Sequence, residues 1–261
     1  MINSVEIAYD DHGIGLPVIF LHGFPLNRSM WTDLAAALLK ERRYRLVAPD
    51  WRGFGESIIN NTVSTMELFA DDVAGLMDTL GMRQAILCGL SMGGYAALAF
   101  LHKYPQRVSG LILADTRPGA DTDEAKANRE RVARLAETRG NGTIADLQVP
   151  NLISDYTRRN HPEVEARIRR MVATATPNGI AAASRGVAQR ADLTHLLSTI
   201  SFPTLVVVGE LDTVTPPEVA REYAAKIPTA QVVVIPHAGH LSNLEQPETF
   251  FEAVRSFLTT F

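Results

Sequence analysis

Short apolar β-rich runs alternate with helical patterns along most of this chain, and that alternation restricts it to a largely parallel sheet covered by helices. Val5–Tyr9 reads as an edge strand followed by a turn at Asp10-Asp11-His12-Gly13. Val18–Leu21, Arg45–Ala48, Ala85–Cys88 and Gly110–Ala114 read as further strands, with helical periodicity at Met30–Glu41, Ser64–Leu80 and Ser91–Tyr104 between them. Gly81 stands just past the second of these helices, where a left-handed backbone is needed. From Pro118 to about Leu197 the strand signal stops. Charged helical segments follow one another there, at Asp121–Thr138, Thr143–Val149, Pro162–Ala173 and Asn178–Ala188, punctuated by Gly140-Asn141-Gly142 and Thr176-Pro177-Asn178-Gly179. Alternation resumes with Thr204–Val208, Pro217–Lys226, Val232–Ile235 and Pro247–Leu258. The expected organisation is an α/β core from residues 1–117 and 198–261, interrupted by a helical cap at 118–197. A length of 261 residues fits one such domain.

Charge and cysteine content exclude several function classes. The balance of 25 Lys and Arg against 29 Asp and Glu gives a formal net charge of −4, without a long basic run, so no nucleic-acid footprint is present. Glu41-Arg42-Arg43 and Arg167 through Arg170 read as solvated helix faces. The single cysteine, Cys88, rules out an intramolecular disulfide, and its apolar strand makes it a small core residue rather than a nucleophile. Met1-Ile2-Asn3-Ser4-Val5-Glu6 lacks the basic and apolar regions of a signal peptide, and no run approaches the ~18 apolar residues of a membrane span. The expectation is a soluble, cytoplasmic protein.

Chemistry concentrates at strand ends. Gly89-Leu90-Ser91-Met92-Gly93 matches G-x-S-x-G between a strand and a helix, the context a nucleophile elbow requires. The turn forces an unusual backbone at Ser91, and the flanking glycines remove side chains that would collide. Read alone, Ser91 is equally a helix N-cap. The Met92 N–H at the helix start can face an oxyanion. His22-Gly23-Phe24-Pro25 follows Val18–Leu21, where this architecture supplies a second oxyanion N–H, assigned here to Phe24. His22 is expected to brace loops by hydrogen bonding. Asp212 lies just beyond the apolar run Val206-Val207-Val208, and His240 lies in the loop Pro236-His237-Ala238-Gly239-His240. His237 reads as a surface residue. Asp115, directly after Leu111–Ala114, competes with Asp212 as the acid. The order Ser91…Asp212…His240 is the Ser…acid…His order of a serine hydrolase on an α/β sheet.

These residues resemble the α/β-hydrolase family across the chain. Asp50-Trp51-Arg52-Gly53-Phe54-Gly55-Glu56-Ser57 matches its D-x-R-G-x-G-x-S loop, and Gly239-His240 with Glu245-Gln246-Pro247 matches its C-terminal histidine motif. Gly89-Leu90-Ser91-Met92-Gly93-Gly94 resembles the carboxylesterase, 3-oxoadipate enol-lactonase and cofactor-free haloperoxidase branch. The resemblance implies an eight-stranded sheet with a helical cap after strand six. It implies Ser91 as nucleophile, His240 as general base, Asp212 as the orienting acid, and the Phe24 and Met92 N–H groups as the oxyanion hole. Neither metal nor organic cofactor is called for, and the expected partner is a small ester or lactone. A carboxylesterase leads; an enol-lactone hydrolase, a slow-turnover signalling or binding protein, and a C–C or hydroxynitrile lyase are the alternatives. Pro25 matches the haloperoxidase branch and points to a perhydrolase side activity.

Overall fold

A computed structural model describes residues Met1–Phe261. Its sheet has the strands β1 (Tyr9–Gly13), β2 (Leu16–Leu21), β3 (Tyr44–Pro49), β4 (Ala85–Leu90), β5 (Val108–Ala114), β6 (Thr204–Gly209) and β7 (Ala230–Ile235). They lie in the order β1-β3-β2-β4-β5-β6-β7, with β1 antiparallel to β3 and all other pairs parallel. The helices α1 (Thr32–Leu39), α2 (Met66–Thr79) and α3 (Met92–Lys103) connect the first strands. Four more, α4 (Asp123–Leu152), α5 (Asp155–Asn160), α6 (Pro162–Thr174) and α7 (Pro177–Ala188), stand between β5 and β6. The chain closes with α8 (Pro217–Ala224), α9 (Ser242–Glu245) and α10 (Pro247–Leu258).

Strand alternation builds two apolar layers. Ile19, Leu21, Leu87, Leu111, Leu113, Val206 and Val208 face the layer that includes Phe69 of α2, Leu98 of α3 and Ala220 of α8. Their neighbours Val18, Phe20, Ile86, Cys88, Ile112, Ala114, Leu205 and Val207 face the layer of Leu34 and Leu38 from α1 and Phe250, Val254 and Phe257 from α10. Both faces are covered, which is why these strands read as continuous apolar runs rather than alternating ones. Cys88 is a fully buried member of the second layer, and burial pushes its thiol far up. No helix is long and apolar enough to cross a membrane.

Two expectations need correction. The sheet has seven strands, not the eight implied by the resemblance. Val5 pairs only with Ile2, in an isolated bridge closed by positive φ at Asn3 and Ser4. The edge strand therefore begins at Tyr9 rather than ending there, and the expected turn at Asp10–Gly13 is extended. Backbone pairing with β3 makes this segment a strand, and ion pairs accommodate its acids: Arg45 on β3 holds Asp11 at 2.6 Å, and Arg28 holds Asp10 at 3.1 Å. Polar residues that suggest a turn in isolation are acceptable on an edge strand with such partners. The helical stretch matches expectation closely, with a sharp bend at Gly140 (φ 76°) inside α4, although α5 was not foreseen.

Strand order reverses between β2 and β4, so the connections after them leave on opposite faces of the sheet, towards α1 and α3. Such a switch point opens a crevice at the carboxyl ends of the strands. The helices α4–α7 dock against loops at that same edge. Thr176 N–H donates to the Gly53 carbonyl (2.8 Å), Ser64 N–H to Ala182 (2.9 Å), and Asn27 Nδ2 to Thr174 Oγ1 (2.9 Å).

Candidate active site

Ser91 occupies the single residue between β4 and α3, with φ 53° and ψ −114°. A non-glycine residue held there costs of order 1–3 kcal/mol, and the surroundings enforce it. A Cβ on Gly89 would collide with the Gly93 carbonyl, and one on Gly93 with the Leu21 carbonyl of β2. The Ser91 N–H donates to Ala114 on β5 (2.9 Å), and Thr116 Oγ1 donates to the Ser91 carbonyl (2.8 Å). Although Ser91 precedes the helix, its hydroxyl caps no helical N–H. It is left for another partner.

That partner is His240. Ser91 Oγ lies 2.8 Å from His240 Nε2, and His240 Nδ1 lies 2.8 Å from Asp212 Oδ2. The pattern fixes the tautomer, with Nδ1–H donating to the carboxylate and Nε2 accepting from the serine hydroxyl. His240 is 2% exposed and Asp212 3%. Asp212 also accepts from Thr215 Oγ1 (2.6 Å), Val214 N–H (2.7 Å) and Thr215 N–H (3.0 Å). Burial works to raise its carboxyl, but the attraction of His240 and the hydrogen bonds from His240 and Thr215 outweigh it and hold the group below the usual range.

Asp115, the competing acid, has a different set of partners. Its carboxyl accepts from Gly209 N–H (2.8 Å) and meets Ser242 Oγ (2.5 Å) and Ser242 N–H (3.3 Å). It thereby ties the end of β6 to the start of α9, just past His240. Complete burial, followed by the nearby charge of Asp212, pushes its carboxyl well above the carboxylate range. The surroundings of the two neighbouring buried acids thus push in opposite directions, towards the protonated form at Asp115 and towards the charged form at Asp212.

The remaining expected residues fall around this line. Phe24 lies in the loop after β2 and is buried, its bond to Pro25 is cis, and Met92 opens α3 with an N–H that has no intrahelical partner. His22 Nδ1–H donates to the Gly23 carbonyl (3.0 Å), and Nε2 accepts from Trp51 N–H (3.0 Å), bracing the loops after β2 and β3 as expected. Burial pushes its imidazole down to about 4 against the pull of Asp50, so it stays neutral. In the loop after β3, Arg52 grips Asp72 through two hydrogen bonds (2.6 and 2.7 Å), and Ser57 Oγ donates to the Asp50 carbonyl (2.8 Å). These residues hold the backbone rather than face the serine. His237 is exposed and stacks on Tyr156 (ring centroids 4.5 Å apart). No three His, Cys, Asp or Glu side chains converge where an ion could sit.

Two supporting residues escaped sequence reading, one with a partner close in the chain and one with partners far away. Thr215 supports Asp212, and Glu245, quoted only as part of a motif, is 3% exposed beside the His240 loop. The Asp-x-x-Thr spacing of Asp212 and Thr215 was the one local signal available, because it is that of a side-chain cap.

The alpha/beta hydrolase fold family matches residues 17–247. Among solved structures, the chain is similar to a thermophilic esterase from Thermogutta terrifontis, with 50% identity, a TM-score of 0.95 and coverage of 98% of this chain and 94% of that one. It is also similar to the enol-lactonase from Burkholderia xenovorans, at 32% identity, TM-score 0.90, covering 99% and 98% of the two chains. A bromoperoxidase from Bacillus anthracis follows at 25% identity, TM-score 0.86, covering 98% and 96%. The family match over residues 17–247, together with the serine elbow and these likenesses, shows that the chain belongs to the alpha/beta hydrolase family.

Proposed function

We propose that this hydrolase cleaves small or medium carboxylic esters through an acyl-enzyme on Ser91. The observation that carries the reading is the continuous line Ser91 Oγ–His240 Nε2 and His240 Nδ1–Asp212 Oδ2, both links 2.8 Å, set on a strained elbow. His240 takes the Ser91 proton as Oγ attacks the ester carbonyl, and Asp212 stabilises the imidazolium that forms. The N–H groups of Met92 and Phe24 are assigned to the tetrahedral oxyanion, each such donor being worth about 3–4 kcal/mol of barrier. His240 then protonates the leaving alcohol. Water attacks the acyl-enzyme by the same route, releasing the acid and restoring the serine.

Residues 118–197 are assigned as a cap that selects substrates, a role supported by their docking on the loops after β2, β3 and β7. Likeness to an esterase at 50% identity favours an ester, and likeness to an enol-lactonase at 32% supports a lactone as the second class. Likeness to a bromoperoxidase supports peracid formation from acetate and hydrogen peroxide as a side activity. The test is steady-state turnover of p-nitrophenyl esters of graded chain length, with lactones alongside and a fluorophosphonate to label the nucleophile. Sustained ester turnover with a single adduct on Ser91 is expected. Slow turnover of every ester and lactone, or an adduct elsewhere, overturns the reading.

A further inference from the structure

Glu245 is a buried carboxylate that the chemistry above leaves unused. Its two oxygens face two different parts of the molecule. Oε1 accepts from Gly239 N–H (2.8 Å) and Leu241 N–H (3.2 Å), the residues on either side of His240. Oε2 accepts from Ser154 N–H (2.8 Å) and Thr157 Oγ1–H (2.7 Å), which belong to the α4–α5 junction of the helical insertion. Each donor lies outside a regular ladder, and together they satisfy a charge that would otherwise be buried alone.

The two segments it joins also touch directly. Ser154 Oγ accepts from Thr157 N–H (3.0 Å), capping α5, and donates to the carbonyl of His237 (2.8 Å). A Cβ on Gly239 would press on the Ser154 and Ile153 backbone, so only glycine lets the histidine loop lie this close. The backbone that carries His240 is therefore seated on the insertion through Glu245 and the direct contacts of Ser154.

We propose that Glu245 is a positioning residue that couples the helical insertion to His240, so that the seating of the α4–α5 junction sets the place of the imidazole. The proposal rests on the reading of His240 as general base. A shift of the junction is carried by one carboxylate to the N–H groups of both residues flanking the histidine, and hence to the 2.8 Å contact with Ser91 Oγ. Misplacement of a reacting group by about 1 Å can cost roughly 100-fold in rate, so modest movements at the junction are felt in the chemical step. The insertion then influences turnover through the base, separately from any contact with substrate.

Full-length wild type, Thr157→Val, Glu245→Gln, the double variant and Ser91→Ala are compared with p-nitrophenyl acetate and p-nitrophenyl hexanoate. Thr157→Val keeps the shape and removes one donor to Oε2, at a residue remote from the reacting atoms. It should lower kcat by about 3- to 10-fold with KM within threefold, by the same factor on both esters. Glu245→Gln should cost about 10- to 100-fold in kcat, and the double variant no more than that, because residues in one network are not additive. Fluorophosphonate inactivation should slow in parallel, as it also depends on His240. Thr157→Val alone decides the matter if Glu245→Gln fails to fold. Unchanged kcat in Thr157→Val, additive losses in the double variant, or a changed preference between the two esters overturns the coupling. An active Ser91→Ala would instead overturn the triad reading beneath it.

Discussion

The elbow at Ser91 and the α4–α5 junction at Ser154 are both serines placed immediately before a helix, and they use their hydroxyls in opposite ways. At Ser154 the backbone is extended (φ −68°, ψ 154°), and the hydroxyl accepts from Thr157 N–H, as an N-cap does. At Ser91 the positive φ turns the hydroxyl away from the helix, and the bond it makes is to His240. One turn is held by its own side chain. The other is held by its surroundings, through backbone packing at Gly89 and Gly93 and hydrogen bonds from Ser91 and Thr116. A residue relieved of structural duty is free for chemistry.

Ser91→Ala is the severest test of that contrast. Ester hydrolysis should fall by about 10⁴-fold or more, while the thermal midpoint stays within about 2 °C, since no cap is lost. A cooperative loss of stability without loss of turnover would mean that Ser91 is an ordinary cap.

The two buried acids give the next largest effect. Asp212→Asn should lower kcat by about 10³- to 10⁴-fold, because the amide removes the charge that faces Nδ1–H. Asp115→Asn should stay within about tenfold. Asp115 also gives a test in stability. Its folded pKa is raised above an unfolded value near 3.9, so the folded protein keeps a proton that the unfolded chain has released. Its contribution is fully present below the unfolded value and is lost as pH rises through the raised one. Asparagine imitates the neutral acid and has no such loss. The midpoint of Asp115→Asn relative to wild type should therefore climb by about 2 °C or more between pH 4 and pH 8, measured by calorimetry. A constant difference across that range would show that Asp115 carries its charge in the folded protein.

The mildest effect belongs to the other serine. Ser154→Ala should lose about 1 kcal/mol of stability, the ordinary value of an N-cap, or about 2–4 °C in a chain of this size. Its kcat should fall by less than tenfold. If the loss of turnover approached that of Ser91→Ala, the two serines would not be doing different work.

Most of the fold was legible because its signals are local. Strands β2, β4, β5 and β6 were visible as apolar runs, since burial on both faces calls for apolar residues along most of their length. The elbow could be read because Gly-x-Ser-x-Gly states a backbone requirement in its own letters. The start of the sheet is illegible locally because Asp10 and Asp11 are strand residues through pairing with β3 and have their charged partners, Arg28 and Arg45, 18 and 34 positions away. The helix α5 is hidden in the sequence for a different reason. It has six residues, too few for a periodicity.

By itself the sequence determined the layer architecture, the position of the helical insertion and the three strand ends at which Ser91, Asp212 and His240 stand. These follow from burial periodicity and turn chemistry, which act over a few residues. The choice between Asp115 and Asp212 as the carboxyl that meets the imidazole was open in the sequence, because each follows an apolar strand. Tertiary structure decided it, by giving Asp212 the N–H of His240 and leaving Asp115 to bridge β6 and α9. The same holds for Glu245, whose four donors come from residues 4 to 91 positions away. Hydrogen bonds between distant segments depend on how loops meet in space, and no local pattern of side chains records that meeting.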